Sequence, residues 1–287
     1  MARRSLLATL GASVAAACSP LGTLNGLNNI APGDGGAARV ARDVAFGSDP
    51  RQRLDVYAPA ASNGANPVLV FFYGGSWASG SRQGYAFAAK AFASRGYTVV
   101  VPDYRLVPDV HFPAFVEDGA GAVAWTLANI GEHGGDPARV SLMGHSAGAH
   151  IAMMLALDTQ WLRGAGVEPG RVRAAVGLAG PYDFYPFVVD ATRKAFGKAP
   201  DGKATQPINF ARADAPPTFL AYGAEDKLVL PKNSLALADA LKKAGAPVTV
   251  KSYPDLGHVG IVIALSKPFR SRAPVLTDTL EFLKANG

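Results

Sequence analysis

"VSLMGHSAGAH", residues 140–150, is the stretch on which the reading of the whole chain turns. An apolar run from Val140 to Met143 meets Gly144, then come His145, Ser146, Ala147 and Gly148, and then an alanine-rich segment. A serine between two glycines, where a strand hands over to a helix, has the pattern of a sharp elbow. At such an elbow the backbone is strained and neighbouring elements press close, so side chains at Gly144 or Gly148 would clash. The turn pushes the hydroxyl out of the sheet, toward the positive end of the helix that follows. An ordinary tight strand-to-helix connection shares this pattern, so the elbow needs its context.

The context is repeated strand–helix alternation. From Val40 onward "ARVARDVAFG" and "RLDVYAP" read as an opening hairpin. "PVLVFFYGG" is a buried strand, "AFAAKAFASRG" an amphipathic helix closed by Gly96, and "YTVVVPDYR" the next strand. "FVEDGAGAVAWTLANIGEHGG" is a long helix with glycines where a C-cap would sit. After the elbow come the strands "RAAVGLAG" and "PTFLAYGAED" and a helix from about Asn233, placed where an N-cap is expected. The strand "VTVKSYP" and a last helix from about Pro274 complete the series. This alternation predicts an α/β fold with a mostly parallel, doubly wound sheet of about eight strands and helices on both faces. Residues 181–215 lack periodicity and hold Tyr182, Phe184, Tyr185, Phe187 and Phe196; they read as an excursion over the site.

Composition agrees with one large folded unit: 287 residues, 49% hydrophobic and 17% charged. The net charge is +6, but Lys and Arg are scattered, with no basic stripe that would argue for nucleic acid. No run of 18 apolar residues marks a membrane span. Residues 1–18, "MARRSLLATLGASVAAAC", have a basic start, an apolar stretch and small residues before a boundary, the architecture of an export signal. Arg3-Arg4 resembles a twin-arginine signal, and Ala15-Ala16-Ala17 before Cys18 resembles a lipoprotein cleavage site. A plain cleaved signal and a lipid anchor at Cys18 are both open. Either one implies export to the periplasm or envelope. Residues 19–38, Gly- and Asn-rich, read as a linker to a domain over 39–287. Cys18 is the only cysteine, so no disulfide forms within the chain. The oligomeric state is not legible.

A serine hydroxyl needs a base, and the base an orienting acid. Of five histidines, His145 neighbours the serine and is expected to point away, His150 lies within the helix, and His111 and His133 precede the elbow. His258, in "YPDLGHVG", lies in a loop at the carboxyl end of a late strand, where active groups of parallel sheets gather. For the acid, Asp226 in "YGAEDKLV" is preferred, with Glu225 next and Asp183 third. Backbone donors for an oxyanion are expected from Gly74 and Gly75 in "FFYGGSW" and from Ala147. Trp77, Phe184 and Tyr185 are candidate pocket residues. No metal-ligand motif is present, and no cofactor is expected.

"YGGSW", "PDYRLVPDVHFPAF", "GGDPARVSLMGHSAGAH", "AGPYDF", "YGAEDKLV" and "YPDLGHVG", in this order, resemble the α/β-hydrolase superfamily, within its feruloyl-esterase-like and hormone-sensitive-lipase-like carboxylesterases. The resemblance covers residues 40–286. It implies an α/β-hydrolase fold and a serine carboxylesterase for small, short-acyl or aryl esters, with Ser146, Asp226 and His258 as triad. Two departures stand out. Tyr73 and Ser76 occupy places where such esterases usually have His and a third glycine, and "GHSAG" replaces "GDSAG". The second moves the match toward feruloyl-esterase-like and kynurenine-formamidase-like enzymes, which makes N-formyl amide hydrolysis the alternative. A binding protein that kept the fold and lost the chemistry, and a structural lipoprotein of the cell envelope, are the remaining readings. "DYR", Asp103–Arg105, carries over as a structural brace.

Overall fold

A computed structural model describes Leu24, residues 33–61 and residues 64–287. The signal-like segment 1–18, with Cys18, and most of the expected linker lie outside the described residues.

The strands are β1 (Ala37–Ala45), β2 (Arg53–Pro59), β3 (Asn66–Phe72), β4 (Thr98–Pro102), β5 (Gly135–His145), β6 (Val172–Leu178), β7 (Thr218–Gly223) and β8 (Val248–Tyr253). They form one sheet in the order β1-β2-β4-β3-β5-β6-β7-β8. The first two pairings, β1 with β2 and β2 with β4, are antiparallel, and all later ones are parallel. β3, β4 and β5 are buried on both faces, which is why they read as continuous apolar runs rather than alternating ones.

The helices are α1 (Ala86–Ala93), α2 (Ala114–Asn129), α3 (Ala147–Leu157), α4 (Thr159–Gly164), α5 (Asp190–Phe196), α6 (Lys232–Ala244), α7 (His258–Ile263) and α8 (Val275–Asn286). α2 runs on through a 3-10 turn, Ile130–His133, to the left-handed Gly134, the glycine cap expected there. α3 is buried along its whole length against the sheet. Among the described residues no helix is long and apolar enough to cross a membrane.

Strand order sets the location of the site. From β3 the chain moves to β4 on one side, then returns to place β5 on the other. The crevice between the ends of β3 and β5 is therefore a switch point, where ligands of open α/β sheets bind. The register pairs Phe72 with Gly144, so Tyr73 and Gly74 run beside His145 and Ser146.

Two expectations need correction. Asn233 is not an N-cap: Pro231 precedes α6, and the Asn233 Oδ1 instead accepts from the Tyr182 and Asp183 amides, both at 3.0 Å. The end of the expected linker belongs to the fold. β1 starts at Ala37, and buried Asp34 pairs with Arg95 at 3.0 Å and Arg270 at 3.1 Å. Arginine partners make that burial tolerable, since an unpaired buried carboxylate would be costly.

The "DYR" segment is a brace, as expected. Asp103 pairs with Arg82, which also reaches Asp55 at 3.0 Å. Arg105 pairs with Asp118 at 2.8 Å, and the Tyr104 hydroxyl donates to the Tyr73 carbonyl at 2.9 Å.

Candidate active site

Ser146 joins β5 to α3 with φ 55° and ψ −123°, a conformation that is strained for a residue with a side chain. The flanking glycines are required by contact. A Cβ at Gly144 would stand 2.1 Å from the Gly148 carbonyl oxygen, and one at Gly148 would stand 2.1 Å from that of Phe72. Backbone cannot yield there, so the elbow can be built only with glycine at both places.

His258 bridges the serine and the acid. Its Nε2 lies 2.8 Å from Ser146 Oγ and its Nδ1 2.8 Å from Asp226 Oδ2. A carboxylate only accepts, so Nδ1 carries the hydrogen, and Nε2 is left to accept from the Ser146 hydroxyl. His258 is the first residue of α7 rather than a loop residue. Asp226 is buried, and its Oδ1 accepts from the Leu228 and Val229 amides at 2.9 and 2.8 Å. Burial by itself raises the Asp226 carboxyl; the bonds from His258, Val229 and Leu228 outweigh it and hold the group below its ordinary range. The two other acid candidates, Glu225 and Asp183, are exposed and do not pair with the histidine.

The glycine loop after β3 lies against this group. Gly75 has φ 144°, and Ser76 and Trp77 have φ 54° and 58°. The loop is tied down by Arg51, which donates to Tyr73 Oη at 2.9 Å, Tyr104 O at 2.9 Å and Gly80 O at 3.2 Å. That accounts for Tyr73: its hydroxyl anchors the loop from behind. The Gly75 carbonyl accepts from the Ala78 and Ser79 amides, while the Gly75 and Ser76 amides have no intramolecular acceptor among the described residues. Gly74, the other expected donor in this loop, packs directly on the elbow: a Cβ there would stand 2.9 Å from Ser146 Cβ. Ala147 opens α3, where a first-turn amide lacks an intrahelical acceptor.

A cleft of about 120 Å³ opens beside Ser146. Trp77 and Phe184 line it, as expected, together with Pro181, Val189, Thr192 and Leu228. Tyr185 does not: it is 47% exposed and packs on Phe187 with ring centres 5.2 Å apart. Val189 and Thr192 come from the excursion, whose lack of periodicity hid them, and Leu228 follows the acid. A larger cavity of about 590 Å³ opens at the opposite ends of the strands, near Arg163, Arg173 and Arg212, and shares no lining residue with this cleft. Among the described residues no cluster of His, Cys, Asp or Glu is arranged to hold a metal.

The remaining histidines have other partners. His111 Nδ1 bonds the Lys194 carbonyl at 2.8 Å, and His133 stacks on Trp125. His150 packs among Trp77, Phe115, Phe184 and Phe196 with its Nε2 2.9 Å from the Thr205 carbonyl. Burial pushes its pKa down to about 4. His145 does not point away as expected; it lies behind His258, with ring centres 5.1 Å apart.

A mostly parallel sheet with a serine elbow after a central strand, and with acid and histidine after the last two strands, defines an α/β-hydrolase. The chain belongs to the BD-FAE family, whose model matches residues 54–241. It is 30% identical over 263 residues to the isoprenylcysteine alpha-carbonyl methylesterase ICME of Arabidopsis thaliana, covering 84% of this chain and 61% of that one. Esterase LipQ of Mycobacterium tuberculosis is 30% identical over 262 residues, covering 83% and 61%. This chain thus spans about three fifths of the length of these curated relatives. Among solved structures, esterase B from Lactobacillus rhamnosis superposes with a TM-score of 0.79 at 23% identity, covering 97% of this chain and 96% of that one. A carbohydrate esterase from gut microbiota gives 0.75 at 21%, covering 88% and 98%.

Proposed function

We propose that this protein is a serine carboxylesterase acting on short-acyl or aryl esters. The observation that carries the reading is His258, with one ring nitrogen 2.8 Å from a serine hydroxyl on a strained elbow and the other 2.8 Å from a buried carboxylate. Ser146 Oγ attacks the ester carbonyl carbon while His258 Nε2 takes its proton. Asp226 holds the tautomer and stabilises the imidazolium. The oxyanion sits among the amides of Gly75, Ser76 and Ala147. As the tetrahedral intermediate collapses, His258 returns the proton to the departing alcohol, which leaves an acyl-serine. Water then attacks the acyl carbon, giving its proton to His258, and the acid departs as Ser146 regains its hydrogen.

The cleft supports a short substituent on one side of the ester. Beside Ser146 it offers only about 120 Å³. Its mouth supports an apolar one on the other: Val189 and Leu228, 55% and 69% exposed, reach from the cleft to solvent. The names of the relatives, esterase and methylesterase, fit the same class. We further propose that residues 1–18 direct export, with Cys18 available for lipidation; mass analysis of the mature N-terminus tests this.

The function is tested with a nitrophenyl ester chain-length series beside an N-formyl arylamine, and with a fluorophosphonate probe. Ester turnover falling with acyl length, and labelling lost in Ser146→Ala, are expected. Preference for the formyl amide would reassign the substrate, and an unlabelled parent would end the esterase reading.

A further inference from the structure

His145 is 3% exposed, adjoins the proposed nucleophile, and takes no part in the proton path above. Both of its ring nitrogens are nevertheless engaged. Nε2 lies 3.1 Å from the His258 carbonyl oxygen, and Nδ1 lies 3.3 Å from the Tyr85 hydroxyl. A carbonyl oxygen only accepts, so Nε2 carries the hydrogen. Nδ1 is then an acceptor, and the Tyr85 hydroxyl donates to it. This arrangement fixes one neutral tautomer. Burial, and then the neighbouring His258, push the His145 pKa down to about 3, so the ring stays uncharged beside a base that must itself gain charge. The loop after β3 closes on the same ring: a Cβ at Gly74 would stand 2.9 Å from His145 Nδ1 and 2.9 Å from Ser146 Cβ. One imidazole therefore touches the glycine loop, the elbow and the backbone of the base.

We infer that His145 is a positioning residue, whose Nε2–H bond to the His258 carbonyl fixes the start of α7 and so aims the His258 ring at Ser146 Oγ, while Tyr85 fixes the His145 tautomer. The inference rests on the esterase reading. The His258 carbonyl also opens the hydrogen-bonded turn of α7, so the His145 bond is the restraint that ties this turn to the elbow from outside the helix, whereas the two ring bonds of His258 act only on its side chain. Misplacement of a reacting group by about 1 Å can cost about 10²-fold in rate.

The test uses the full chain, nitrophenyl acetate kinetics and fluorophosphonate labelling, with far-UV dichroism and melting as controls for folding. His145→Leu, which removes the donor, is expected to lower kcat by about 10- to 100-fold. KM should stay within about twofold, and labelling should slow in parallel. His145→Gln, whose terminal amide can donate to the same carbonyl, is expected to recover most of the loss. Tyr85→Phe, which keeps the imidazole but frees its tautomer, should fall between. A folded His145→Leu with parental kcat and labelling overturns the inference, as does a His145→Gln as impaired as the leucine variant. If the leucine variant fails to fold, Tyr85→Phe decides: unchanged kcat overturns it. An unlabelled parent overturns the esterase reading and this inference together, whereas a labelled parent with unaffected variants overturns this one alone.

Discussion

The acid assignment turns on one residue step. Asp226 and Glu225 are neighbours, yet only Asp226 is buried and faces His258, because the Leu228 and Val229 amides turn its carboxylate inward. Asp226→Asn is expected to lower ester kcat by about 10⁴ by favouring the wrong tautomer. Glu225→Gln should stay within about twofold, and steady-state kinetics on the two variants check this. His150 gives a stability prediction. Its folded-state pKa, about 4, lies below the ordinary imidazole value of about 6.5. The unfolded chain therefore binds the proton first as pH falls. Stability is complete above about pH 6.5 and declines toward pH 4, by roughly 3 kcal/mol at about 1.4 kcal/mol per unit. Urea unfolding from pH 7 to 4.5 should show a fall of at least this slope, and His150→Phe should remove the His150 share while leaving that of His145, whose pKa burial holds down to about 3.

At the scale of elements, the parts legible in the sequence are those whose local pattern and tertiary role agree. β3, β4 and β5 carry continuous apolar runs because both faces are covered, and the elbow announces itself through glycines that nothing else can replace. The excursion at 181–215 is opaque in the sequence because its short α5 and 3-10 turns have no period to read, and this hides Val189 and Thr192 of the cleft. Tyr185 lies one residue from Phe184, yet the chain turns it outward. Asn233 has the chemistry of a cap, but its oxygen serves amides 50 and 51 residues away, a demand no local window contains. The glycine loop is legible in the sequence, but its anchor is not. Arg51 precedes β2 and holds three groups of the loop region. Arg51→Ala is expected to leave the sheet intact and lower kcat by about 10- to 100-fold through a displaced oxyanion site. Unchanged kcat in that variant would show that the loop holds itself.

At the scale of the molecule, the sheet and its helices enclose a large apolar core and a smaller one where α6 packs Leu237 and Leu241 with Met153 and Leu220, and the Asp34 cluster ties the segment before β1 to the rest. Burial raises the Asp34 carboxyl, but bonds from Arg270 and Arg95 outweigh it, and the net shift is downward. A depressed carboxyl contributes stability above its unfolded pKa, about 3.9, and loses it as pH falls through the lower folded value. Asp34→Ala should cost about 3 kcal/mol at pH 7, as for other broken buried pairs, and progressively less in acid. Melting curves of both proteins at pH 7 and pH 3 check the convergence. The same cluster has a mechanical meaning. β1 is an edge strand, largely exposed, and would peel from β2 one bond at a time under a pull from the chain's beginning. With Asp34 clamped to α1's end and to Arg270, 236 residues further on, that force is shared among three segments before it loads the edge. In an optical trap pulling from residue 33, the parent should resist until the clamp ruptures, and Asp34→Ala should unzip gradually at lower force.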